Sequence, residues 1–266
     1  MEPRTFESFR KLVYERSGIA LGDQKEALVS ARVGKRIRAL GLADPADYLA
    51  YVKADKSGQE VVQLIDAIST NVTSFFREPD HFDFLRQVMT QWAEEGQRRF
   101  RLWSAASSTG EEPYSIAMTL LESVDARTTD VKLLATDIST RVLEKCLVGQ
   151  YDKEKMKTVI PSLLDRYFDR VPGVAPPRYS AKRCLRDLIV FKRLNLSSHP
   201  FPMSGPLDVV FCRNVMIYFD NDLRNKLLAE VYRLLKPGGY LMVGHAESLT
   251  GIKSQFRTVR PSVYIK

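Results

Sequence analysis

The stretch Phe100-Arg-Leu-Trp-Ser-Ala-Ala-Ser-Ser-Thr-Gly-Glu-Glu-Pro113 carries three signals in succession. Phe100 to Ala106 reads as a buried strand, the residues that follow are nearly all small, and Pro113 opens a helix that runs to Ser123. Strand, tight turn and helix in that order are one unit of an α/β sheet. The order recurs along the chain. Lys132-Leu-Leu-Ala-Thr-Asp137 reads as a second strand ending on an acid, and a helix begins near Thr140 and stops near Gly149. Leu188–Phe191, Leu207–Cys212 and Tyr240–Gly244 read as further strands. Asp222–Leu235 is a helix closed by Lys236-Pro-Gly-Gly239, and a helix from about Asp80 to Gly96 precedes the series. The alternation predicts a parallel sheet covered on both faces. After the loop Pro172-Gly-Val-Ala-Pro-Pro177, residues Arg178–Phe191 are expected to form a small antiparallel appendage rather than another strand–helix unit.

Residues 1 to about 70 have a different texture. Phe6, Phe9, Leu12 and Val13 fall at helical spacing, and Leu28, Val29, Val33, Ile37 and Leu40 share one face of a segment from Lys25 to Leu40. Gly41 fits a C-cap. Asp44-Pro45 starts a third helix with Tyr48, Leu49 and Val52 on its apolar side, and a fourth runs from about Gln59 to Ser69. No strand-like alternation interrupts them, so an all-α domain is expected ahead of the α/β domain.

Composition bounds the function. Of 266 residues, 44% are hydrophobic and 27% charged, an ordinary globular balance. No apolar run approaches the roughly 18 residues of a membrane span, and the N-terminus lacks an apolar signal core. A soluble, cytoplasmic chain without membrane insertion is expected. Cys146, Cys184 and Cys212 are far apart and form no CxxC pair, which argues against a disulfide framework or a zinc site. His81, His199 and His245 read as isolated packing or surface residues, with no metal constellation. The net charge of +8 is compatible with nucleic acid, a membrane surface or an acidic protein, and does not choose among them.

Ligands of open α/β sheets bind beyond the carboxyl ends of the strands. The small residues after the first strand would let a ligand approach the backbone closely, yet the turn is not GxGxxG and it ends in Glu111 and Glu112. Two acids would repel a pyrophosphate and welcome a cationic amino group, which favours S-adenosylmethionine (SAM) over a dinucleotide. Taken alone, the segment fits a tight turn and helix cap equally well. Asp137 fits a ribose-binding acid or an N-cap for the next helix. Arg213 and Asn214 interrupt an apolar run where a buried strand ends, as groups awaiting a ligand or as a hydrogen-bonded loop anchor.

Five motifs, in order, then carry a family resemblance: Ser69-Thr-Asn-Val-Thr-Ser-Phe-Phe-Arg-Glu78, Leu102-Trp-Ser-Ala-Ala-Ser-Ser-Thr-Gly-Glu-Glu-Pro-Tyr-Ser115, Ala135-Thr-Asp-Ile-Ser139, Phe211-Cys-Arg-Asn-Val-Met-Ile-Tyr-Phe219 and Leu235-Lys-Pro-Gly-Gly239. Across nearly its whole length the chain resembles the chemotaxis receptor methyltransferases of the CheR type. The resemblance implies a helical N-terminal domain (1–70), a linker contributing to the active site (71–80), and a Rossmann-like SAM-binding domain (81–266) with a β-subdomain at about 173–192. It implies methylation of glutamate side chains on the cytoplasmic helices of receptors, giving methyl esters and S-adenosylhomocysteine. By motif, Asn71, Thr73 and Arg77 contact cofactor or line the reaction centre, and Glu112 meets the methionyl end of SAM, with Glu111 able to share that role. Asp137 holds the ribose, Asn195 and Leu196 lie beside the adenine, Arg213 and Asn214 fill further pocket positions, and Tyr218 orients substrate.

A sulfonium methyl is already activated, and a glutamate with a reference pKa of about 4.3 is already ionised near neutrality. Alignment rather than general-base catalysis is then the enzyme's task, and alignment can be worth up to about 7–11 kcal/mol. Arg77 is expected to hold one carboxylate oxygen and leave the other facing the methyl group, with Tyr218 donating a second bond. The basic face Arg32, Lys35, Arg36 and Arg38 is expected to dock an acidic receptor helix. A monomer with no nucleic-acid partner and no domain beyond the last strand completes the expectation. The competing readings are a SAM methyltransferase acting on nucleic acid or a small molecule, and a non-catalytic SAM-binding scaffold.

Overall fold

A computed structural model of the chain describes residues 1–69 and 71–266. Thr70, in the first motif and at the expected domain boundary, lies outside them. The first unit holds α1 (Pro3–Ser17), α2 (Glu26–Leu40), α3 (Pro45–Ala54) and α4 (Gln59–Ile68). Local chemistry sets their ends. Gly18 and Gly41 close α1 and α2 in the left-handed region, and the Asp44 carboxylate caps α3 by accepting from the N–H groups of Ala46 and Asp47. Phe9, Val13, Val29, Val33, Tyr48, Val52 and Leu64 form its core. Leu28, assigned to the buried face by its spacing, is partly exposed and looks into a cleft instead.

The second unit runs α5 (Asp80–Glu94), β1 (Arg99–Ser104), α6 (Glu111–Ser123), β2 (Asp130–Asp137), α7 (Thr140–Val148), β3 (Gln150–Asp152), α8 (Pro161–Tyr167), β4 (Phe168–Arg170), β5 (Arg178–Ala181), α9 (Arg183–Arg186), β6 (Ile189–Arg193), β7 (Leu207–Cys212), α10 (Asn221–Leu234), β8 (Leu235–Val243), β9 (Arg257–Arg260) and β10 (Val263–Ile265). The main sheet has the order β6-β2-β1-β7-β8-β10-β9. Its β6-to-β8 portion is parallel, as the alternation predicts. β10 runs antiparallel to both β8 and β9, so the sheet as a whole is mixed. Short strands joined by a tight turn at Ser262, where φ is +61°, leave no helix-length gap and no long alternation to announce this hairpin.

Alternate residues of β1 face opposite cores. Phe100 and Leu102 pack with Phe82, Leu85, Met89, Tyr114 and Ile116 from α5 and α6. Trp103 packs with Leu223, Leu227 and Val231 from α10, and its indole N–H donates to Thr136 Oγ1 at 2.9 Å. The antiparallel appendage exists, but with other strands. It is β3-β5-β4, and of the expected 173–192 stretch it takes only β5. Ile189–Arg193 instead extends the main sheet, pairing in parallel with Leu133–Asp137. Strands of three or four residues carry too little periodicity to be read from sequence. No helix among the described residues is long and apolar enough to cross a membrane.

Candidate active site

The chain order reverses between β1 and β7, and a ligand crevice belongs there, beyond the strand ends. A cleft of roughly 1090 Å³, counted to its open mouth, occupies that place. Asn71, Thr73, Arg77, Glu112, Asp137, Asn195, Leu196, Arg213, Asn214 and Tyr218 all line it. The structure thus brings together these ten residues expected to meet cofactor or to orient substrate, and leaves out Glu111, the alternative to Glu112.

Under the cleft lies the turn after β1. Ala105 N–H donates to the Phe211 carbonyl at 2.8 Å and Ser107 N–H to the Thr136 carbonyl at 2.9 Å, so small residues thread between β2 and β7. The two glutamates that follow part company. Glu111 is fully buried and turned away, bonded to Thr109 Oγ1 at 2.6 Å and to the Lys155 ammonium. Glu112 faces the cleft, accepting from Ser104 Oγ at 2.7 Å and Arg213 Nη1 at 3.1 Å. Burial raises its pKa, with Arg213 and Ser104 opposing.

Asp137 is not the cap of α7; Ser139 is, accepting from Val142 N–H. The Asp137 carboxylate takes N–H bonds from Ser108 at 2.9 Å and Ser139 at 3.0 Å. Burial nevertheless pushes its pKa up to about 6, because two backbone donors do not replace full hydration.

Arg213 is buried between two acids. Its Nη2 donates to Glu78 Oε2 at 2.9 Å and to the Arg77 carbonyl, and its Nη1 to Glu112. Burial drives the Glu78 carboxyl up, but the charge and hydrogen bond of Arg213, with help from the His245 N–H, hold it below its ordinary value. Asn214 follows in the left-handed region at φ +56°, its amide 3.5 Å from Glu78 Oε1.

The segment 71–79 borders the cleft as a strap, with Asn71, Val72, Thr73 and Arg77 in its lining. Phe75 anchors it, wholly buried against Tyr151 and Phe168, while its carbonyl accepts from Thr158 Oγ1 at 2.9 Å and the Phe76 N–H donates to Ser115 Oγ at 3.0 Å. Arg77 is left with little to do for the fold. It donates to the Val72 carbonyl at 3.1 Å, stands 4.0 Å from Glu78, and is 39% exposed. A structural ion pair with Glu78 therefore does not account for it, since Glu78 is taken by Arg213.

The N-terminal domain forms part of the wall. Ser17, Ile19, Leu21, Lys25 and Leu28 line the same cleft. The Ala20 N–H donates to the Tyr218 carbonyl at 2.8 Å, and the Lys25 ammonium lies 5.2 Å from the Tyr218 ring centroid. Asn195 lines the cleft but its amide is committed, donating to the Arg16 carbonyl at 2.9 Å and accepting from Ser197 N–H at 3.0 Å. The contacts of Tyr218 with Ala20 and Lys25 and of Asn195 with Arg16 escape sequence reading because each crosses between domains.

Two expectations need correction. The basic face of α2 is not one free surface. Arg36 is clamped to buried Glu60 by bonds of 2.9 and 2.7 Å, and Tyr48 donates to the same carboxylate at 2.7 Å. Arg32 donates to the Ala67, Ile68 and Ser69 carbonyls, capping the end of α4. Lys35 and Arg38 remain exposed. Unpaired groups at a helix end and a buried carboxylate both demand donors, and that demand claims two of the four cations. Nor are the histidines all isolated. The His81 and His245 rings meet at 5.1 Å, beside Glu78. Those three are the group among the described residues whose donor atoms lie close enough for a metal ion, all within 4.8 Å. Arg213, 2.9 Å from the Glu78 oxygen, opposes a cation there. Burial, then the charge of Arg213, lowers the His81 pKa to about 4, so the ring is neutral.

The family model described as CheR methyltransferase, SAM binding domain, matches residues 71–265, and the one described as CheR methyltransferase, all-alpha domain, matches residues 4–69. The chain belongs to the CheR methyltransferase family. A chemotaxis protein methyltransferase of Salmonella typhimurium is 40% identical over 262 residues, covering 97% of this chain and 88% of that one. Its counterpart in Escherichia coli is 39% identical over 262 residues, covering 97% and 89%. One from Borreliella burgdorferi is 36% identical over 263 residues, covering 96% and 92%. The boundary between the two family models falls where α4 gives way to the strap. Like other CheR methyltransferases, the protein uses SAM as cofactor. Its cleft fits that ligand: the turn is built of small residues, Glu112 has acceptor capacity to spare, and the buried Arg213 Nε finds no partner among the described residues.

Proposed function

We propose that this CheR methyltransferase transfers the methyl group of SAM to glutamate side chains on the cytoplasmic helices of chemotaxis receptors, forming methyl esters. Glu112 holds the ammonium end of the cofactor, Asp137 the ribose hydroxyls, and Leu196 with its neighbour Asn195 the adenine side. Asn71, Thr73, Arg213 and Asn214 complete the wall. Bound SAM supplies a sulfonium methyl group activated for in-line displacement. The chain's own task is to bring a carboxylate oxygen into line with it. Arg77 is suited to that task, and the observation that carries the reading is its partly exposed guanidinium in the cleft lining, hydrogen-bonded among the described residues to the Val72 carbonyl alone, whereas Arg213 is held between Glu78 and Glu112. Arg77 engages one oxygen of the incoming carboxylate, and Tyr218 donates to orient it. No general base is required of the cleft, and its acids are occupied with hydrogen bonds. Lys35 and Arg38 supply the charge that draws an acidic helix to α2.

The test is incubation with methyl-labelled SAM and receptor cytoplasmic fragments. Base-labile label on glutamate is the expected product, and label on nucleic acid, or none on protein, would overturn the reading. Arg77→Ala is expected to abolish transfer while S-adenosylhomocysteine binding weakens less.

A further inference from the structure

Glu247 lies after β8, outside every motif that the sequence singles out. Its side chain is buried, at 6% exposure, and among the described residues no cation pairs with it. It is bonded instead to three backbone N–H groups. Oε2 accepts from Asn214 at 2.6 Å and Gly244 at 2.8 Å, and Oε1 accepts from Ile217 at 3.1 Å. One carboxylate thereby ties the loop after β7 to the loop after β8. Asn214 and Ile217 lie in the loop that presents the Asn214 amide and, one residue beyond Ile217, the Tyr218 ring to the cleft. Asn214 sits at φ +56°, a conformation that needs support from its surroundings. Gly244 leaves the room for this arrangement. A Cβ there would meet the Asn214 amide and come within 2.9 Å of Glu247 Oε2.

We infer that Glu247 is the positioning residue of the transfer site, fixing Asn214 and Tyr218 in their cleft-facing poses by accepting these three N–H bonds. The role given to Tyr218 rests on the function proposed above; the role given to Asn214 requires only cofactor binding. A carboxylate is needed because both oxygens accept. A glutamine keeps one oxygen and must turn its NH2 against at least one of the three donors, which leaves a buried N–H without a partner.

The experiment compares Glu247→Gln and Glu247→Asp with the parent protein, at a temperature where circular dichroism shows each variant fully folded. S-adenosylhomocysteine affinity is read by calorimetry, and kcat and KM by methyl transfer to a receptor cytoplasmic fragment. In Glu247→Gln, S-adenosylhomocysteine affinity is expected to fall about tenfold and kcat about 100-fold, the scale of a catalytic group misplaced by about 1 Å. Combination with Tyr218→Phe is expected to add little further loss, because both changes remove one oriented hydroxyl. Affinity and kcat within twofold of the parent in a folded Glu247→Gln, or full additivity with Tyr218→Phe, would overturn the inference. Should Glu247→Gln not fold, Glu247→Asp, which keeps the charge and shortens the reach, carries the same readouts. If the parent transfers no methyl group to the fragment, the proposed substrate fails, and the affinity arm still decides for Glu247.

Discussion

Lowering the pH from about 8 to about 5 is expected to weaken S-adenosylhomocysteine binding by at least roughly tenfold, the share that Asp137 contributes, with Glu112 acting in the same direction because burial raises its pKa too. The Asp137 carboxyl is buried, accepts two backbone N–H bonds, and has its pKa pushed up to about 6. Ribose hydroxyls donate, so they select the ionised form. For a ligand that binds only that form, the apparent Kd grows by a factor of 1 + 10^(pKa − pH). That factor is about two at pH 6 and about eleven at pH 5. The ligand's own amino and carboxyl groups do not titrate in this range. Calorimetry in buffers of different ionisation enthalpy supplies an independent check, because about half a proton is released per binding event near pH 6. Asp137→Asn is expected to bind weakly at every pH, with the dependence reduced to what Glu112 contributes. A Kd for the parent protein that stays flat between pH 8 and pH 5, or a dependence undiminished in Asp137→Asn, would refute the reasoning.

The same group acts on stability in a definite direction. Its folded pKa of about 6 lies above the unfolded value of about 3.9, so the native state keeps the proton where the unfolded chain has lost it. The contribution favours folding below about pH 4 and declines as pH rises through about 6, by something like 3 kcal/mol in all. Bound ligand returns part of this by hydrogen-bonding the charged form.

Other substitutions separate fold from site. Arg36→Ala is expected to destabilise the N-terminal domain by about 3 kcal/mol, because it leaves the buried Glu60 without its charge partner, whereas Lys35→Ala is expected to stay within about 0.5 kcal/mol in urea unfolding. Arg36→Ala as stable as its parent would show that Tyr48 alone satisfies Glu60. Gly244→Ala is expected to cost about 1–3 kcal/mol by overpacking and to weaken S-adenosylhomocysteine binding, since the new methyl displaces the Asn214 amide; thermal melts and calorimetry report both. Phe75→Ala is expected to cost about 3–5 kcal/mol and to loosen the strap, read as faster proteolysis around residues 71–79.

Where sequence and structure agree, a long-range pattern carries the information. Helices of ten or more residues, such as α2 and α3, display three or four turns of spacing and legible ends at Gly41 and Asp44. The parallel strands are short but end on chemistry, Asp137 in one case and Arg213-Asn214 in another, and that chemistry lines the cleft. β3, β4 and β5 are too short to show a period, and they are held by partners remote in sequence, such as Tyr151, whose hydroxyl donates to the Thr109 carbonyl at 3.0 Å. The basic face of α2 misled for a related reason. Four cations at helical spacing look alike until the burial of Glu60 and the open carbonyls of α4 are known. Glu247 offered no signal at all, because its partners are backbone N–H groups, which every residue except proline carries.

The Glu78–Arg213–Glu112 triad is poorly explained by stability. Desolvating three charges costs several kcal/mol per ion, and an apolar cluster of the same volume would hold the sheet as well or better. Its geometry also leaves loose ends that a structural network would close: the buried Arg213 Nε has no partner among the described residues, and burial raises the Glu112 pKa despite a cation at 3.1 Å. Both deficits are of the kind a zwitterionic amino-acid group corrects. An ammonium beside Glu112 favours its charged form, and a carboxylate can take the spare donor of Arg213. The strap is fastened to this same triad through the Arg77 carbonyl and Glu78, so the groups proposed to recognise the cofactor also fix the backbone that carries the Arg77 side chain into the cleft lining. Under the proposed function, filling the cofactor site would therefore stiffen the support of Arg77, the residue assigned to orient the second substrate.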